Sequence, residues 1–213
     1  SALTTAIAPT LGLKDHKSQV VNFWNNVFDK VGISKPEWFS PITYRGDEIS
    51  FHSQSHARSE SIIANMSGAY FLGGLLKVER LDHIFNHEAT HLIINHPDSP
   101  RSKNYSQAVK SNQKHNEIVT ELFAQLETLG QYHLPPKNYQ STLYQNGVNE
   151  LLDILKEIDE RSGQENFAIK LLFEGLIGYQ EGNLSYPLEK VYEYYRDNMS
   201  DKKDFYARLS AYE

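Results

Sequence analysis

Residues 87–91 read His87-Glu88-Ala89-Thr90-His91, two histidines four residues apart with a glutamate directly after the first. Four-residue spacing places two side chains on one face of a helix, one turn apart, so both imidazoles can bind a single metal ion. The glutamate would then project toward the open side of that metal and take a proton from the bound water. The spacing therefore predicts His87 and His91 as metal ligands and Glu88 as catalytic base.

Apolar residues flank this motif on both sides and predict that its helix packs into the core. They are Leu81, Ile84, Phe85, Leu92 and Ile93. Two imidazoles and a carboxylate are costly to bury without a partner, and a metal ion would remove that cost. The competing interpretation is an incidental motif on a helix that happens to carry two histidines.

A second helix, predicted over residues 113–129, offers candidates for a third ligand. Glu117 and Glu121 are also four residues apart and share a face of that helix. One carboxylate can bind the metal while the other holds a ligand histidine by its second ring nitrogen. The chain has no cysteine, so a metal site must use His, Asp or Glu. The spacing leaves open which glutamate does which, and an ordinary solvated face is the alternative to both.

The HEATH sequence and residues 116–121, Asn-Glu-Ile-Val-Thr-Glu, resemble the gluzincins, the thermolysin-like class of zinc peptidases. The resemblance covers residues 68–126. It implies a zincin-like domain that holds one Zn²⁺, with Glu117 as third ligand and Glu121 as the partner of His87. A looser family pattern, Glu-x-Phe-Ala at residues 121–124, would make Glu121 the ligand instead, but more positions fit the first assignment.

The resemblance also implies substrate contacts beside the metal. Gly68-Ala69-Tyr70-Phe71 resembles the strand with which gluzincins pair an extended substrate, which implies substrate binding by Ala69 and Tyr70. A plain strand of a sheet is the alternative. Gluzincins further use a histidine and a tyrosine to stabilise the oxyanion. No motif selects among the candidates, which include Tyr105, His115, His133, Tyr139, Tyr144 and Tyr179.

Hydrophobic periodicity predicts one α+β domain over residues 1–213. Its first part, residues 1–95, would hold a helix over 15–31, a small sheet of three or four short strands between 42 and 74, and the HEATH helix over 78–95. Its second part, residues 96–213, would begin with a polar loop over 98–112 and continue with the third-ligand helix. Further helices are predicted near residues 139–161, 165–179, 188–198 and 203–211.

Composition narrows the function class. A net charge of −6 argues against a nucleic-acid binder, and no apolar run is long enough to span a bilayer. The first residues lack the pattern of a secretory signal, and the compartment stays open. The small, cysteine-free chain is similar to compact HExxH proteases that bacteria deliver into host cells, which implies a virulence role and a host protein substrate such as actin.

The sequence therefore predicts a monomeric zinc endopeptidase that acts on a protein or peptide. The alternatives are a catalytically inactive zincin fold, a helical protein-binding module, and a hydrolase that uses the same activated water on a non-peptide bond.

Overall fold

The computed structural model describes residues 13–35, 42–45, 48–51, 86–87, 89–91, 105–140, 143–177 and 188–211. Helix accounts for 73% of the described chain. The helices are α1 (Leu13–Val31), α2 (Tyr105–Leu129), α3 (Gln145–Ser162), α4 (Phe167–Ile177), α5 (Glu189–Asn198) and α6 (Phe205–Ser210). Residues 86–87 and 89–91, hereafter the histidine segment, are also helical.

The predicted α+β class is wrong, because the described chain is mostly helical. Its strands are β1 (Ile42–Arg45) and β2 (Glu48–Phe51), an antiparallel pair in which Ile42 lies opposite Phe51. Two four-residue strands form a hairpin and not a layer on which helices could build a core. The further strands predicted over residues 61–64 and 69–72 lie outside the described residues. Short β-prone stretches of three or four residues do not outweigh the long helical periodicity that follows them.

Two predicted boundaries were also wrong. The polar loop expected over 98–112 is helical from residue 105, and α2 extends as one helix to Leu129. No Pro or Gly occurs between Pro100 and Gly130, so nothing in the sequence stops that helix, and its polar composition was mistaken for a loop signal. The helix expected from residue 139 begins only at Gln145, because residues 137–140 and 143–144 form turns and bends.

The core forms around the aromatic face of α1. The buried Trp24 ring packs against Phe23, Phe123 and Phe173, with centroid distances of 5.4, 5.4 and 6.1 Å. After Gly130, whose positive φ of 63° ends α2, Tyr132 stacks on Phe23 and donates a hydrogen bond to its carbonyl. These contacts tie α1 to α2 and α4, so α2 is fixed along its C-terminal half.

Helix α3 is the centre of the C-terminal part and contacts α2, α4, α5 and α6. Arg208 of α6 donates hydrogen bonds to Glu150 at 2.5 Å and to Glu157 at 2.8 and 3.1 Å, both on α3. At its C-terminus α3 ends on Gly163 in the left-handed conformation. The N-terminal end of α3 lies against α2, joined to it by the hydrogen bond from Gln125 to Gln145, and the candidate site lies there.

Candidate metal centre

Side chains from the histidine segment and from α2 converge on one point. His87 Nε2 lies 3.0 Å from Glu117 Oε2, and His91 Nε2 lies 3.3 Å from the same oxygen. The two imidazole rings stand nearly perpendicular, with centroids 4.9 Å apart. One ligand atom from each of these three residues lies within 4.8 Å of the others, so the group could hold a metal ion.

Glu121 contacts the other nitrogen of His87. Its Oε2 lies 2.8 Å from Nδ1, and the Glu121 side chain is almost fully buried. A carboxylate can only accept, so Nδ1 carries a proton and donates it, which leaves Nε2 as the nitrogen that would bind a metal. The structure thus gives Glu117 and Glu121 different positions, one between the two Nε2 atoms and one behind His87.

The charges around His87 favour its protonated form in the metal-free chain. Burial by itself would lower the pKa of His87, but hydrogen bonds to Glu117 and Glu121 and the charges of both raise it to about 9. The same contacts act in reverse on Glu117. Burial would raise its pKa, and the hydrogen bonds to His87 and His91 lower it to about 2. A proton on Nε2 therefore stands where a metal cation would bind.

The residues present fit Zn²⁺. Two neutral imidazole nitrogens and one carboxylate oxygen are a usual protein ligand set of catalytic zinc, and a carboxylate on the outer nitrogen is its usual support. His91 and Glu117 also keep 24% and 20% of their side chains exposed, so the cluster opens to solvent on that side. A three-ligand site with an open side differs from a structural zinc site, which has four protein ligands and is closed.

Tyr144 is the one oxyanion candidate whose ring contacts the cluster among the described residues. It stacks on His87 with the ring planes 9° apart and the centroids 5.7 Å apart. His115 instead packs beside Tyr206 at 5.5 Å, and His133 is exposed. Sequence alone could not select Tyr144, because the contact depends on how the start of α3 packs against the histidine segment.

A cleft of about 440 Å³ opens beside Tyr144. It is lined by Lys114, Ile118, Leu143, Tyr144, Asn146, Gly147 and Ala211. Leu143 is 88% exposed, a large apolar side chain left in solvent at this cleft. The start of α3 therefore contributes both a ring against His87 and one wall of an open cleft.

The remaining predicted site residues cannot be compared with the structure. Glu88, Ala69, Tyr70 and Tyr179 lie outside the described residues, as does the side chain of Tyr105. The predicted catalytic base and substrate-binding strand stay predictions.

Sequence analysis missed Glu127, which is fully buried on α2. Its Oε1 accepts hydrogen bonds from the Trp24 indole and from the Thr90 hydroxyl, the latter at 2.8 Å. Burial raises the pKa of Glu127 to about 8, although both hydrogen bonds and the charge of His87 act to lower it. The available signal was an acidic residue directly after the apolar face of α2, at Leu122, Phe123 and Leu126.

No protein-family model matches this chain, and comparison with curated proteins and with solved structures finds no match either. No helix in the described part of the chain has the length and apolar character needed to cross a membrane.

Proposed function

We propose that this chain is a zinc-dependent endopeptidase. The observation that carries the proposal is the convergence of His87 Nε2, His91 Nε2 and a Glu117 oxygen on one point, with Glu121 behind His87. Two elements distant in sequence supply these four side chains. An incidental HExxH sequence would not need two carboxylates on a second helix placed to contact its histidines.

The proposed roles follow from the atoms that each side chain presents. His87, His91 and Glu117 would hold the zinc, and Glu121 would keep the Nδ1–H tautomer of His87. When bound, zinc activates a water molecule at near-neutral pH and polarises a carbonyl group. Glu88, next to His87 in the sequence, would take the proton of the attacking water and pass it to the amine that leaves when the peptide C–N bond breaks.

Two features favour a catalytic over a structural metal site. The described residues supply three ligands and not four, and His91 and Glu117 reach solvent. The open cleft beside Tyr144, whose ring stacks on His87, has room for a group of amino-acid size. A protein or peptide substrate is therefore the class we propose, with actin as one candidate through the resemblance to bacterial effector proteases.

Metal content of the purified chain tests the first step. We expect about one zinc per chain by elemental mass spectrometry after dialysis without chelator, and none in His91→Ala. Wild-type chain without zinc, even after reconstitution, would overturn the proposal and favour a helical protein-binding module. Unchanged zinc content in His91→Ala would refute the ligand assignment.

Cleavage tests the second step. Zinc-loaded wild-type chain is incubated with denatured and native proteins, actin included, and Glu88→Ala serves as the matched control. We expect new fragments with the wild type and none with a Glu88→Ala preparation that keeps its zinc and its fold. A zinc-loaded wild type that cuts no protein would leave a metal centre without peptidase activity, which is the inactive-fold alternative. Equal cleavage by the variant would refute the role of Glu88.

A further inference from the structure

A chain of side-chain amides leads from the metal cluster to a surface turn. Gln125 Nε2 donates to Glu121 Oε1 at 3.3 Å and to Gln145 Oε1 at 2.8 Å. Gln145 Nε2 in turn donates to Asn149 Oδ1 at 2.9 Å, and Asn149 Nδ2 donates to Asn138 Oδ1 at 2.7 Å. The chain thus crosses from α2 to α3 and ends in the turn before α3.

The direction of every hydrogen bond in this chain is fixed from its buried end. The ionised Glu121 carboxylate can only accept, so Gln125 must turn its NH₂ group toward it. The second hydrogen of that NH₂ then requires an oxygen from Gln145, which leaves the Gln145 NH₂ for Asn149. Each amide therefore has one orientation compatible with its neighbours.

Two backbone groups fix the same orientation independently. The N–H of Gln140 donates to Gln145 Oε1 at 3.3 Å, and the N–H of Asn138 donates to Asn149 Oδ1 at 2.9 Å. A backbone N–H can only donate, so both amides must present oxygen there, as the carboxylate end also requires. Asn138 has a positive φ of 58°, a conformation that its contacts with Asn149 help to hold.

Gln125 is costly to keep at this position. It is fully buried, and its Oε1 has no hydrogen-bond partner among the described residues. An unsatisfied buried oxygen is destabilising, and an apolar side chain of similar length would avoid that cost. An apolar residue could not supply the two N–H donors of Gln125, one of which contacts the Glu121 carboxylate beside His87.

We propose that Gln125 is a positioning residue of the metal centre. It fixes the Glu121 carboxylate, which orients the His87 ring, and Gln145 fixes Gln125 through the amide chain that ends at Asn138. Among the described residues Gln125 hydrogen-bonds to Glu121 and Gln145 and not to His87, His91 or Glu117, so its effect on the metal would pass through Glu121. This inference rests on the proposed zinc site.

The test compares zinc affinity, measured by chelator competition with Zn²⁺ alone at one pH, between wild type and Gln125→Met. Met keeps the length of the side chain and removes both donors. Mutating a residue that hydrogen-bonds to a zinc ligand changes zinc affinity by about 10–100-fold. Gln125 lies one hydrogen bond further from the metal, so we expect a loss of about tenfold. The visible spectrum of the Co²⁺-loaded variant should shift, because the His87 ring is less well oriented.

A matched control separates positioning from general destabilisation. Ile154→Ala removes buried apolar atoms from α3, and Ile154 is not a member of the hydrogen-bonded amide chain. It should lower the melting temperature of the metal-free chain yet leave zinc affinity within about twofold of wild type. Equal affinity losses in Ile154→Ala and Gln125→Met, at equal melting temperature, would overturn the proposal.

A second variant tests the order of the chain and covers a failure of Gln125→Met to fold. Gln145→Met should lower zinc affinity less than Gln125→Met does. The double variant should bind zinc with the same affinity as Gln125→Met alone, because Gln145 acts through Gln125. Additive losses, or wild-type affinity in both single variants, would refute the relay.

Failure of the zinc proposal would be distinguishable from failure of this one. If the wild-type chain binds no zinc, nuclear magnetic resonance of the metal-free protein still reports the His87 Nδ1–H proton that Glu121 accepts. We expect a downfield Nδ1–H signal in wild type that moves in Gln125→Met and stays in place in Ile154→Ala. An unmoved signal in Gln125→Met would overturn the positioning role.

Discussion

The carboxyl group of Glu127 accepts a hydrogen bond from the indole of Trp24, which joins α2 to α1 across 103 positions of sequence. Its Oε2 is buried and has no hydrogen-bond partner among the described residues. The neutral form of a carboxyl group is favoured in this setting. An ionised form would lose its hydration on burial, and the two hydrogen-bond donors would replace only part of it. This accounts for a pKa raised by burial to about 8.

This buried acid predicts that the metal-free chain loses stability as pH rises from about 5 to 8. In that range folded Glu127 keeps a proton that the unfolded chain, with a pKa near 4.5, has released. The free energy of unfolding then falls with pH, by up to about 1.4 kcal/mol per unit for one proton. Urea unfolding at pH 5, 6.5 and 8 measures the slope, to which His87, with its pKa raised to about 9, adds above pH 6.5 in the same direction.

Glu127→Gln is the control for this prediction. It keeps the shape and an oxygen for Trp24, and it removes the titrating group. Between pH 5 and 8 we expect the free energy of unfolding of the variant to rise relative to that of the wild type, by a few kcal/mol at most over the range. Parallel stability curves for the two proteins would mean that Glu127 does not titrate in this window.

Zinc affinity should rise with pH up to about 9. The metal-free His87 ring holds a proton on Nε2, between its own nitrogen and Glu117, and that proton must leave before a metal binds. Below pH 9 we expect about a tenfold gain in affinity per pH unit from this one proton. Calorimetry in buffers of different ionisation enthalpy should show about one proton released per zinc at pH 7.

Glu121→Gln tests the cause of this dependence. It removes one of the two carboxylates that raise the pKa of His87, so the ring should lose its proton at a lower pH. The affinity curve of the variant should therefore level off at lower pH than that of the wild type. A wild-type zinc affinity independent of pH between 6 and 8 would contradict the assignment of His87.

Glu117 and Glu121 should differ in what their loss does to zinc binding. Glu117 stands between the two Nε2 atoms, so Glu117→Ala should remove a ligand and abolish binding at stoichiometric zinc. Glu121 lies behind His87, with its Oε2 2.8 Å from Nδ1, so Glu121→Ala should weaken zinc binding by about 10–100-fold. The reverse order of losses would make Glu121 the ligand, the alternative that the Glu-x-Phe-Ala pattern allows.

Local spacing predicted the parts of this molecule that lie within one helix. His87 and His91 share a face because they are one turn apart, and Glu117 and Glu121 do so for the same reason. Amphipathic periodicity likewise predicted α1 and the helices after α2 to within about two residues, except that α3 begins at Gln145 and not near residue 139. The combination of His87, His91 and Glu117 is present as a group that could hold a metal. The zinc, the reaction and the role of Glu88 remain predictions.

Contacts between distant elements were beyond the sequence. Six His and Tyr residues were equal candidates, and only packing of α3 brought Tyr144 onto His87. The burial of Glu127 against Trp24 could not be predicted from periodicity, because a glutamate on an amphipathic helix is normally exposed to solvent. The fold class failed for a related reason. Four-residue β-prone stretches carry little weight unless other strands pair with them, and strand pairing is not local.

The contact between α2 and α3 predicts that Gly147→Ala lowers stability. A Cβ at position 147 would lie 2.5 Å from Cδ1 and 2.7 Å from Cγ1 of Ile118, which is itself buried. Ala is the better helix former by about 0.5–1 kcal/mol, but overpacking a filled contact costs about 1–3 kcal/mol, so the clash should win. Thermal and urea unfolding of the metal-free chain measure the net loss.

Ile118→Val supplies the relief test. It removes Cδ1, the atom that the new Cβ would approach most closely, but leaves Cγ1 at 2.7 Å, so Gly147→Ala should cost less in this background and still be destabilising. Because Ile118 follows Glu117, the single variant Gly147→Ala should also weaken zinc binding, and the double variant should recover part of it. A Gly147→Ala chain more stable than wild type would show that helix propensity outweighs the contact, and that α2 and α3 pack less tightly here than their distances indicate.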